Sequence, residues 1–154
     1  MLTRIKNFFA SLFNQDLSPK HIAAAFCLGN YIAFSPFFGL HGIMVFVFSW
    51  LFGLHFGIMF AAAYGINNPW TAIPIYSADY FFGHWLVHSI FQLPTANITP
   101  WWLDYVSNKF AAFTGFAKPC MISFLIGGNL LGILVSVLLY PIILRACYSF
   151  RTQT

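Results

Sequence analysis

Asn67-Asn68-Pro69-Trp70-Thr71-Ala72-Ile73-Pro74, running on through Tyr76 and Asp79 to Tyr80 and Gly83, decides how this chain is read. Proline has no N–H, so Pro69 cannot donate to the carbonyl of Gly65, nor Pro74 to that of Trp70. The surroundings are so apolar that only a bilayer suits them as solvent. In hydrocarbon a freed carbonyl survives only where protein or a watery cavity satisfies it. The stretch is therefore expected to be a broken helix facing the inside of a bundle, with Pro69 and Pro74 as its breaks. Asp79, one of only 3 acids in the chain, follows just beyond.

Composition extends this reading to the whole chain. The 154 residues suit one membrane domain, here bounded as 18–150, with an N-terminal helix over 1–17 and a polar tail over 151–154. Hydrophobic residues make up 60% and charged residues 6%, whereas soluble domains carry about a quarter charged. No Asp, Glu, Lys or Arg lies between Lys20 and Asp79, room for two crossings at about 20 residues each. The expected class is an all-α integral membrane protein. A net charge of +4, spread thinly, excludes a nucleic-acid partner. Cys27, Cys120 and Cys147 sit in apolar runs and read as small buried hydrophobes.

Along the chain, Leu2, Ile5, Phe9, Leu12 and Phe13 recur at helical spacing, with Arg4, Lys6 and Asn7 opposite: an amphipathic helix for the membrane surface. Ser18-Pro19 reads as an N-cap followed by proline at the first helical position. The apolar run from His21 to Phe34 ends in Ser35-Pro36-Phe37-Phe38-Gly39, where Pro36 makes another break. It either continues as a kinked span or turns back as a re-entrant half-helix. Leu40 to Tyr64 reads as a full-length span carrying Gly53-x-x-x-Gly57, and residues 73–91 as the third. Trp101, Trp102, Tyr105 and Lys109 suggest an external interfacial helix over 100–116. The last span runs from Lys118 through Leu144, with Gly128-x-x-x-Gly132. That makes about four membrane segments, proline-broken or re-entrant. Arg4, Lys6, Lys20, Arg145 and Arg151 cluster at the two ends. The positive-inside rule then puts both termini and the Asn-Pro turn in the cytoplasm and residues 92–118 outside.

Ser18-Pro19, Gly29, Pro36-Phe37-Phe38-Gly39 and above all Asn68-Pro69-x-Thr71-x-x-Pro74, with Tyr80 and Gly83, resemble a family of small bacterial membrane proteins known as domain of unknown function 2062. The resemblance covers about residues 18–144. It implies a compact helical domain in the inner membrane of bacteria and no particular activity.

A carboxylate inside a span is costly and usually pairs or exchanges a proton, so Asp79 with Tyr76 is expected to couple protons or bind a cation. Asn67, Asn68 and Thr71 offer amides and a hydroxyl at a helix start, suited to a phosphate or carboxylate ligand; helix capping would use the same groups. No catalytic motif appears, and an enzyme is disfavoured. His84 and His88, four apart, lack a third metal ligand, so neither metal nor cofactor is expected. The expected function is a small transporter or lipid-handling protein for an anionic lipid or small solute. It would be multi-pass in the inner membrane and homo-oligomeric through its Gly-x-x-x-Gly faces. The alternative is a non-catalytic scaffold for an envelope-building enzyme.

Overall fold

The computed structural model describes residues 17–37, 39–90, 101, 104–105, 108–109, 112 and 121–151. The expected amphipathic helix over 1–17 and most of the interfacial helix lie outside the described residues; those described between 101 and 112 are helical. The described residues are all helix and connection. They form α1 (Pro19–Phe34), α2 (His41–Phe52), α3 (Phe56–Ile66), α4 (Ala72–Trp85, continued by a π-helical turn Leu86–Ile90) and α5 (Met121–Arg151).

Ser18 caps α1, its hydroxyl accepting from the His21 amide at 3.3 Å, with Pro19 at the first position. Pro36 then denies the helix its next bond, and α1 stops at Phe34 with the Ser35 amide donating to the Ile32 carbonyl at 3.0 Å. The chain turns through Gly39 (φ +77°) and comes back as α2. Packing beside Gly42 at the start of α2 is the hydroxyl of Tyr64 near the end of α3, so α2 and α3 run antiparallel.

Leu40–Tyr64 is thus not one span. It is two half-length helices of 12 and 11 residues, about 18 and 16 Å long, joined by a sharp turn. Two residues make that turn. Gly53 adopts the left-handed φ of +61° that ends α2, and His55 caps α3, its Nδ1 accepting from the Ile58 amide at 3.3 Å. Gly53-x-x-x-Gly57 is a helix boundary, so it presents no continuous face for close packing.

Side-chain pairings give the remaining directions. Asn30 Nδ2 donates to Ser136 Oγ at 2.8 Å, and Tyr31 Oη donates to Asn129 Oδ1 at 2.7 Å. Gly128 lies against Phe34. α1 therefore runs antiparallel to the lower part of α5. Gly83 meets Ser123 and Gly127 meets Asp79, so α4 runs antiparallel to its upper part. α1 and α4 consequently stack end to end along one helix of 31 residues, about 46 Å long. α3 lies parallel to α1, with Gly29 against Met59 and Ala62, and continues upward into α4 across the Asn-Pro break. The first and last described helices thus have Pro19 and Arg151 at one end of the molecule, and α4 ends at the other.

Asn67 donates to Ala33 at the upper end of α1, level with Gly128, about 11 Å along α5 from Met121. Gly128 and Gly132 are occupied within the chain, facing Phe34, Pro36 and Tyr31. They do not offer the outward oligomer contact expected of them.

Candidate functional site

Two backbone discontinuities meet at one height, the end of α1 at Ser35-Pro36 and the break between α3 and α4, and the unbroken Gly127-Gly128 stretch of α5 packs against them. Each break leaves carbonyls to satisfy, and side chains do most of the work. The His41 ring Nε2 lies 3.0 Å from the Ser35 carbonyl oxygen. Asn68 Nδ2 donates at 3.1 Å to the Gly65 carbonyl, the one freed by Pro69. The Thr71 hydroxyl donates to the Ile66 carbonyl and accepts from the Asn68 amide. Asn68 Oδ1 in turn accepts from the Trp70 and Thr71 amides at 3.0 and 3.1 Å. Asn68 and Thr71 thus make the turn itself. Pro74 falls in the first turn of α4, where N–H groups have no helical partner in any case, and it interrupts nothing there.

Asn67 has a longer reach. Its Nδ2 donates at 2.8 Å to the Ala33 carbonyl and also to the Tyr76 hydroxyl, clamping α1, the break and α4 together. Replacing it with alanine leaves that carbonyl without its donor, at about 1–3 kcal/mol. We expect Asn67→Ala to lower the thermal unfolding midpoint by several degrees while Asn67→Gln recovers part of the loss. An unchanged midpoint for the alanine variant would show the clamp to be dispensable.

Asp79 lies one turn beyond Tyr76 on the same face and is fully buried. Among the described residues, neither of its carboxyl oxygens has a hydrogen-bond partner. A Cβ built on Gly128 would stand 3.5 Å from Asp79 Oδ2, 3.1 Å from Pro36 Cδ and 2.7 Å from the Phe34 carbonyl oxygen. The carboxyl and that carbonyl are therefore within about 6 Å of each other. This is the C-terminal, partly negative end of α1. No Lys or Arg occurs between Lys20 and Lys109, or in α5 before Arg145. Among the described residues, these partly negative oxygens are met by no cation from the helices around them. A carboxyl so placed can hold a proton.

Of the residues singled out from sequence, Asn67, Tyr76 and Asp79 meet at this junction with Pro36. Of the far wall, sequence reading named Gly128 only as part of Gly128-x-x-x-Gly132 and missed Gly127 and Ser123, whose buried hydroxyl also has no partner among the described residues. Adjacent glycines in the middle of an apolar helix weaken it by about 0.5–1 kcal/mol each, and that cost was the available signal of a close backbone approach. The His84 and His88 rings stack at 4.0 Å, but among the described residues no group of three potential metal ligands occurs.

A family described as "Uncharacterized protein conserved in bacteria (DUF2062)" matches the chain over residues 2–154. No curated protein and no solved structure matches it.

Proposed function

Starting from the premise that the chain belongs to the bacterial family DUF2062, we propose that it is a small inner-membrane transport protein. In this reading Asp79 couples movement of an anionic lipid or small solute to a proton or cation. The surface supports a membrane setting. α5 has 30 residues long and apolar enough to cross, and large apolar side chains face outward along the helices, among them Trp50 at 80% and Val137 at 65% exposure. The interior, by contrast, holds Asn30, Ser35, Asp79, Ser123 and Ser136. Water would penalise that outer surface, and lipid would not.

In a bilayer the α1–α2 hairpin enters from the Lys20 side, reaches the junction and returns, while α3–α4 and α5 cross completely. Both termini then face the cytoplasm by the positive-inside rule. Half-helices whose broken ends meet at membrane depth are a recurrent way to expose carbonyls to an ion without exposing them to lipid.

The buried, unpartnered Asp79 at that meeting point carries the proposal. The test reconstitutes the protein in phosphatidylethanolamine–phosphatidylglycerol vesicles holding a pH-sensitive dye and a fluorescently labelled phosphatidylglycerol. A panel of small anionic solutes is added in parallel. We expect redistribution of lipid or solute that depends on a pH or sodium gradient. Movement indifferent to both gradients, or none for any member of the panel, would remove the coupling role.

A further inference from the structure

Away from Asp79, a groove of about 540 Å³ opens between α1 and α5, within the size range of ligand pockets. Ala24, Leu28 and Tyr31 form one wall, Ser136 and Val137 the other, and Leu54 at the α2–α3 turn closes a side. Of the hydroxyls that line it, that of Tyr31 donates to Asn129 and that of Ser136 accepts from Asn30, and Tyr140 adds a third. What remains to line the interior is chiefly carbon, which suits an unbranched apolar chain.

The lower mouth has a different character. Lys20 precedes Ala24 by one helical turn on the same face. Lys20 therefore stands, exposed, just past the end of the groove, about 15 Å below Asn30 along α1, and among the described residues it forms no ion pair. Arg145 lies at a similar height on α5, but nine residues after Ser136, on the opposite side of that helix. A second copy of this chain would fit poorly at such a mouth, since it holds only 3 acids against 7 Lys and Arg, and one of those acids is buried Asp79.

We propose that this groove is a binding site for one anionic phospholipid of the cytoplasmic leaflet, its acyl chain between α1 and α5 and its headgroup phosphate on Lys20. The inference rests on the membrane placement proposed above and identifies the lipid class that the protein takes up. The groove retains the chain by shape, and Lys20 selects the headgroup.

The experiment is native mass spectrometry of the full-length protein in detergent with equal amounts of phosphatidylglycerol and phosphatidylcholine sharing the same acyl chains. One retained phosphatidylglycerol per chain is expected, preferred over phosphatidylcholine. Lys20→Gln should reduce that preference about fivefold, and Arg145→Gln, on the far side of α5, should leave it unchanged. Val137→Trp, at an exposed position, fills the groove and should strip both lipids without altering elution of the protein. Equal retention of the two lipids by the native protein would overturn the proposal, as would unchanged retention in Val137→Trp. So would a dimer that Val137→Trp disrupts while lipid retention stays the same. Alkaline extraction of cell membranes checks the premise separately: release of the protein by carbonate would remove the membrane placement itself, whatever the lipid result.

Discussion

Gly83→Ala and Gly127→Ala are each expected to leave little or no folded protein. A Cβ on Gly83 would stand 1.7 Å from the Ser123 carbonyl oxygen, and one on Gly127 would stand 1.8 Å from that of Asp79. Both obstacles are helical backbone, so no side chain can swing aside; α4 and α5 would have to separate along their whole contact. One added methyl in a packed core costs about 1–3 kcal/mol even where neighbours relax, and here the loss should exceed about 3 kcal/mol, a large part of the total stability of a small domain. Gly65→Ala is the matched control. It lies in α3 with open space around the new methyl, and it should be neutral or stabilising by up to about 1 kcal/mol. Size-exclusion profiles of the extracted proteins read the difference directly. A single sharp peak at native yield for Gly83→Ala would mean that the two helices do not pack this closely.

Asp79→Asn should separate stability from activity. Asparagine keeps the shape but carries no charge, and its amide can donate toward the Phe34 carbonyl across the junction. A buried polar group with no partner costs about 1–3 kcal/mol, so relieving it should hold or raise the unfolding midpoint. The same change removes the one acid that the described residues bring to the junction, and gradient-driven movement in vesicles should fall at least about a hundredfold. Strained or unsatisfied functional groups commonly show this trade of activity for stability. If Asp79→Asn instead unfolds earlier while flux is unchanged, the carboxyl is a structural part of the α4–α5 contact.

Part of the junction could be read from the residue string because proline and asparagine report on backbone. Ser18-Pro19 and Pro36 set the two ends of α1. At the Asn-Pro break only Asn67 reaches inward, to Ala33 and Tyr76, whereas Pro69 and Trp70 are exposed, so the stretch as a whole does not face the inside of the bundle as expected. The hairpin between α2 and α3 was hidden. Gly53 and His55 are flanked by uninterrupted apolar residues, which satisfy a length criterion for a crossing equally well when folded in two. Only the left-handed glycine followed by a capping side chain distinguishes the cases, and here it coincides with a Gly-x-x-x-Gly spacing that suggests packing. Pairing across long separations was equally hidden: nothing local links Gly83 with Ser123, or Asp79 with Gly128, so the wall opposite the carboxyl had no signature in its own neighbourhood.

The stacking of α1 and α4 on α5 has a consequence for biosynthesis. α5 leaves the ribosome last, yet it supplies the surface that aligns the two shorter helices and encloses Asp79. Until it packs, Asp79 and Gly83 of α4 and the Asn30–Phe34 face of α1 have no wall, and the contacts that will bury them span about a quarter of the chain or more. Long-range closure of this kind is slow and leaves partly assembled chains prone to aggregation. A ribosome that stalls or a protease that cuts before Met121 therefore yields an open intermediate, which quality control can recognise by an Asp79 carboxyl that the native packing would bury.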